Sequence, residues 1–113
     1  MENFKMKVER DTYEKKGKTY FSYFIRGNVR GRDVRIGVVP PDTGGYLVLD
    51  IVFNGEMEAD LVVTPFEMKD DSGNVITGNT YKVVSYDEDG KVYECKVKPS
   101  RGSDRSMLNM LLG

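Results

Sequence analysis

At 113 residues and 12.8 kDa, with 39% hydrophobic and 31% charged residues and a formal net charge of −1, the chain is sized for one folded domain around one apolar core. It is neither apolar enough for a membrane protein nor polar enough for disorder. Cys95 is the single cysteine and there is no histidine, which excludes an internal disulfide, a Cys/His zinc site and any histidine-based catalytic triad.

Phe4, Met6 and Val8 alternate with Lys5, Lys7 and Glu9, the period-2 pattern of a first strand with one buried face. The opening MENFKMKVER lacks the apolar core of a signal peptide, and no apolar run approaches the roughly 18 residues of a spanning helix, so the expectation is a cytoplasmic protein without membrane contact. The polar segment 11–17 then turns the chain into a long β-hairpin from Lys15 to Val39. In its first arm Thr19, Phe21, Tyr23 and Ile25 share the face expected to be buried, with Lys18, Tyr20, Ser22, Phe24 and Arg26 on the other. Val34, Ile36 and Val38 must match the buried set from the return arm.

Two registers compete. A two-residue turn at Gly27-Asn28, a recognised hairpin signal, sets Arg30 and Arg32 inward, and burying unpaired guanidinium groups costs on the order of several kcal/mol. A loop over residues 27–32 instead sets Ile25 against Val34, Tyr23 against Ile36 and Phe21 against Val38. Arg26 then meets Asp33 outside, and Arg30 and Arg32 sit at the tip. The second register is the expected one.

Pro40 to Gly45 end the hairpin. Tyr46 to Phe53 is apolar on both faces except at Asp50, which fits a central strand. Asn54-Gly55 marks a turn, Ala59 to Val63 a strand, and Pro65 an edge position or bulge ahead of Phe66 and Met68. Asp70 to Asn74 forms a hairpin loop into Val75 to Tyr86, and Asp87 to Gly90 the next turn. Val92 to Lys98 places Tyr93, Cys95 and Val97 inward and Glu94, Lys96 and Lys98 outward. The period then changes: Ser103 is a plausible N-cap, Asp104 suits a first turn, and Met107, Leu108, Met110, Leu111 and Leu112 form an apolar helical stripe. The expected architecture is a mainly β single domain over residues 1–113, a small barrel or sandwich with an OB-like variant among the options. It has six or seven mostly antiparallel strands, and a short C-terminal helix over 103–112 packs on the open end.

Most motif matches fail on chemistry. Gly17-Lys18-Thr19 imitates the end of a phosphate-binding loop, but Thr12 stands where the first glycine is required and a strand follows. Asp87, Asp89 and Gly90 imitate a calcium loop, but Lys96 stands where a bidentate glutamate is needed, so a hairpin turn is the better reading. Asp42-Thr43-Gly44 resembles the signature triplet of retroviral-type aspartic proteases, in which two chains each supply one aspartate. Here it follows Pro40-Pro41 rather than an apolar strand and precedes Gly45 rather than a small Ala or Ser, and a polar turn explains it equally well. Cys95 has no histidine to activate it and reads as a core cysteine. No cofactor or metal site is expected, and the chain is read as a non-catalytic binding module.

The remaining signal is the hairpin's outward face, with Lys18, Tyr20, Phe24, Arg26 and Arg35, Arg30 and Arg32 at its tip, and Lys15 and Lys16 at its base. Aromatic rings interleaved with cations suit single-stranded nucleic acid, because bases stack on rings while cations follow phosphates. The competing account is ordinary sheet chemistry, with Phe24 paired to Arg35. A protein-interaction or structural module that captures a partner or self-associates is the alternative. It draws on the apolar C-terminal stripe and on uneven charge: residues 1–40 hold ten Lys/Arg against five Asp/Glu, residues 41–90 two against eleven, and residues 91–113 five against two. Pairing between these segments would erase that asymmetry.

Overall fold

The computed structural model describes residues 2–112. It is mainly β, with strands β1 (Glu2–Lys15), β2 (Lys18–Val29), β3 (Arg32–Val39), β4 (Glu58–Lys69), β5 (Val75–Tyr86) and β6 (Val92–Pro99), and helices α1 (Thr43–Asn54) and α2 (Gly102–Leu112). The strands pair antiparallel throughout, in the order β1-β2-β3-β6-β5-β4, and close into a ring. The expected alternation sets the interior. Met6 and Val8, Tyr23 and Ile25, Val34 and Ile36, Leu61 and Val63, Tyr81 and Val83, and Val97 all join one buried cluster, to which α1 adds Leu49 and Val52 and α2 adds Leu108 and Leu111. Ser85, a polar residue buried with them, donates its hydroxyl to the Glu58 carbonyl at 2.6 Å.

The ring is weakest between β3 and β6, which meet at only two residue pairs, Val38 with Pro99 and Val39 with Lys98. There α2 takes over. Asp104 accepts the Gly37 N–H at 2.9 Å and the Ser100 hydroxyl at 2.9 Å, while the Ser100 N–H donates to the Gly37 carbonyl at 3.0 Å. A side chain at Gly37 would collide with Ser100, so glycine allows this close approach. The helix begins at Gly102, one residue ahead of the Ser103 cap expected from sequence, and Met110 of the expected apolar stripe stays exposed.

The segment read as a central strand, Tyr46 to Phe53, is instead the body of α1. A run apolar on both faces has no period to distinguish strand from helix, and the ends decide: Asp42 accepts the Gly45 N–H at 2.9 Å as N-cap, and Gly55 caps the C-terminus. The Asp42-Thr43-Gly44 triplet is therefore a helix start. Gly45, Leu49 and Val52 are buried while Leu47 and Ile51 face out, as helical spacing dictates.

The hairpin register also differs from both alternatives. The turn is Arg30-Gly31, with φ of 52° and 85°, and the Asn28 side chain accepts the Gly31 N–H at 3.0 Å. Ile25 lies opposite Ile36, Tyr23 opposite Val38, and Gly27 opposite Val34. Two positive φ values give the two-residue turn whose twist matches antiparallel strands, and they do so without burying an arginine. A shift of two residues preserves every face, so the core assignment survives except at Phe21 and Thr19. These lie beyond Tyr23, where β3 pairing stops, and Phe21 is exposed. Arg26 faces Arg35 rather than Asp33. The segment 11–17, expected as a turn, is mostly strand: β1 runs to Lys15 and reverses at Lys16-Gly17, again with two positive φ values.

Two hairpins outrun the ring. β1 and β2 continue together past their other partners as a two-stranded arm, with Asp11 to Lys15 against Lys18 to Ser22. β4 and β5 do the same with Thr64 to Lys69 against Val75 to Thr80. Because β1 and β4 are antiparallel, the arms leave from opposite ends. Among the described residues no helix is long and apolar enough to cross a membrane.

Candidate nucleic-acid interface

Strand parity places Glu9, Asp11, Tyr13 and Lys15 of β1 on the outer face beside Phe24, Ser22, Tyr20 and Lys18 of β2. Of the nine residues singled out from sequence, Lys15, Lys18, Tyr20, Phe24, Arg26 and Arg35 lie on this side of the first three strands, and Lys16 and Arg30 sit in turns. Arg32 lies opposite buried Val29 with the parity of the inner face, exposed only because β3 begins there. They form three groups rather than one surface.

The middle group is neutralised. The Arg35 guanidinium lies 3.6 Å from the Phe24 ring centroid. Its Nε donates to Glu9 at 2.7 Å and its Nη2 to Asp11 at 3.0 Å, while Arg26 pairs with the same Glu9 at 3.4 Å. The hydrogen bond to Glu9 leads the causes that hold the guanidinium above its ordinary value. Phe24 faces Gly37 across the strands, so Arg35 reaches it diagonally rather than from directly opposite. One side of this ring is already covered by a cation and two cations are matched by two carboxylates, which is the sheet-chemistry account of these residues.

The tip group is open. Tyr13 and Tyr20, directly opposite each other, stack with centroids 5.4 Å apart and planes 21° from parallel, and they are 47% and 41% exposed. Lys15, Lys16 and Lys18 cluster at the turn, exposed, and make no ion pair among the described residues. Glu14 pairs with Thr19 and so lies on the opposite face. The third group, Arg30 and Arg32, sits at the far end of β2. Arg30 lies twelve positions beyond Lys18, at the other end of β2, roughly 40 Å at about 3.3 Å per residue.

The inner face of the arm holds an arrangement that sequence did not reveal. Arg10 inserts its guanidinium between Phe21 and Phe53, 4.4 and 4.7 Å from the ring centroids, and donates to Asp50 at 3.2 Å. The Tyr23 hydroxyl donates to the same carboxylate. Asp50, the polar exception in the apolar run, thus clamps α1 to the arm's base. Burial, then the hydrogen bond to Asp50 and its charge, push the Tyr23 phenol up to about 12. Between about pH 10 and 12 the unfolded chain therefore releases a proton that the folded chain keeps. The stabilisation is complete below pH 10 and disappears as pH rises through 12. A stability profile against pH is expected to fall less steeply above pH 10 in Tyr23→Phe than in wild type, and an equally steep fall in both would contradict the clamp.

Beside the clamp, a depression of about 280 Å³ opens between the arm and the start of α2, bordered by Tyr13, Phe21, Tyr46 and Arg101. Tyr13 and Arg101 escaped the sequence reading because one lay in a presumed turn and the other is remote in the chain. Burial, then the negative charge of Asp42, push the Cys95 thiol up to about 11, well away from a reactive thiolate. Among the described residues no group of three His, Cys, Asp or Glu side chains could hold a metal ion. No protein-family model, curated protein or solved structure matches the chain.

Proposed function

We propose that the chain is a non-catalytic binding module that takes up single-stranded nucleic acid on the tip of its β1–β2 arm. The observation that carries this reading is the exposed Tyr13–Tyr20 stack bordered by three exposed lysines that make no ion pair among the described residues. A base laid on an aromatic platform gains about 1–3 kcal/mol irrespective of its identity, and cations beside the platform follow the backbone. Arg101 and Tyr46, along the neighbouring depression, extend the same chemistry for a second nucleotide. The reading moves the contact away from Phe24, Arg26 and Arg35, whose groups are committed to one another and to Glu9 and Asp11.

A comparison of the two ends tests the assignment. At physiological ionic strength charges are screened over about 8 Å, far less than the separation between the lysine tip and Arg30. Gel-shift titration of a single-stranded oligonucleotide is expected to weaken sharply in Lys15→Ala/Lys18→Ala and to stay near wild type in Arg30→Ala/Arg32→Ala. The reverse pattern, or equal losses, would overturn it.

A further inference from the structure

The opposite arm presents a surface of its own. Phe66, Met68 and Ile76 share one face of the β4–β5 arm and are 40%, 54% and 44% exposed. Phe66 lies over Gly78, its cross-strand neighbour, where a side chain would collide with the ring. Among the described residues neither strand has a partner on its outer side beyond the ring, and a shallow groove of about 660 Å³ runs between this arm and Asn109 of α2. Glu67, Asp70 and Asp71 with the lone Lys69 make the tip acidic.

The expected neutralisation between segments is partial: Lys5 and Lys7 of β1 stand directly opposite Asp60 and Glu58 of β4, and Lys82 pairs with Glu94, but the two arms lie outside these contacts. Among the described residues a single ion pair, Arg10 with Asp50, joins the basic N-terminal segment to the acidic middle. At the arm tips the charge asymmetry of the sequence survives, with Lys15, Lys16 and Lys18 on one and Glu67, Asp70 and Asp71 on the other, each beside exposed apolar side chains. Arg30 and Arg32 lie at the acidic arm's end of the ring, on the β2–β3 turn rather than on the arm.

We infer that the β4–β5 arm is a docking surface for the β1–β2 arm of a second copy of this chain, so that copies associate head to tail. Opposite charges steer the tips together and set their order, and the Tyr13–Tyr20 pair meets Phe66, Met68 and Ile76 out of water. The two surfaces differ, so an open assembly of any size keeps one unused arm of each kind, one at either end, and growth continues unless the rotation closes a ring. This inference stands without the nucleic-acid reading. The two uses of the lysine tip exclude one another.

Sedimentation velocity on nuclease-treated protein tests it with charge reversals at exposed positions that spare the turns. Asp70 is left in place because it accepts the Ser72 and Asn74 N–H groups. Wild type is expected to grow beyond two copies as concentration rises at low salt. Lys15→Glu/Lys18→Glu and Glu67→Lys/Asp71→Lys are each expected to weaken association by about tenfold or more, with circular dichroism unchanged. Mixing these two variants reunites one intact arm of each kind and is expected to restore association. Protein that stays monomeric at every concentration, association that nuclease abolishes or that neither reversal weakens, or a mixture that fails to recover overturns the inference.

Discussion

Replacing Leu49 by alanine is expected to lower the free energy of unfolding by about 2–5 kcal/mol, the range for truncating a leucine in a packed core, whereas Leu47→Ala is expected to change it by less than about 0.5 kcal/mol. Leu49 is fully buried and Leu47 is 60% exposed. The contrast separates the two conformations open to this segment. In a strand, residues two apart share a face and the two substitutions would cost similar amounts; in a helix they point in nearly opposite directions. Urea denaturation of both variants reads the difference directly, and matching losses would return Tyr46 to Phe53 to a sheet.

That segment also shows where the sequence was legible. Alternation was enough to assign the inner faces of β2, β3 and β6, because a period of two survives any even shift in register. Ile25, Ile36 and Val97 are buried as expected even though the turn at Arg30-Gly31 was not foreseen. The change to helical period at Met107 to Leu112 located α2 for the same reason. An unbroken apolar run has no such period, and its only markers, Asp42 before and Gly55 after, also serve in turns.

The site was harder to read because parity says which way a side chain points, not where its neighbours end. Phe21 belongs to the inward set of β2, yet the ring stops at Tyr23 and leaves it on the arm. Arg26 was expected to meet Asp33 and Arg35 to pair with Phe24 at most, and only the register brought Glu9 and Asp11 beside them. Conversely, Tyr13 acquired its importance only when β1 proved to run straight through the segment expected to turn. The basic and aromatic content of the first hairpin was visible in the sequence; its division into a neutralised middle and an open tip required the pairing.

The tip makes the second strong expectation. Three lysines that each displace one counterion from a single strand give a slope of log K against log salt of roughly −2, and each lysine removed is expected to flatten it by about 0.7. Removing the platform is a separate loss of about 1–3 kcal/mol for each base it stacks and leaves the slope in place. Charge and stacking therefore have distinguishable signatures in one titration. Arg35→Ala, by contrast, releases Glu9 and Asp11 and uncovers Phe24, so its expected effect is on folding stability more than on binding.

The most direct measurement is fluorescence anisotropy of a labelled single-stranded oligonucleotide at low and high salt, with wild type and Tyr13→Ala/Tyr20→Ala compared at equal folded concentration. The expected result is binding at low salt that weakens as salt rises and is largely lost without the two rings. No binding at low salt, or binding that ignores salt and survives the double substitution, would contradict the assignment of nucleic-acid binding to the arm.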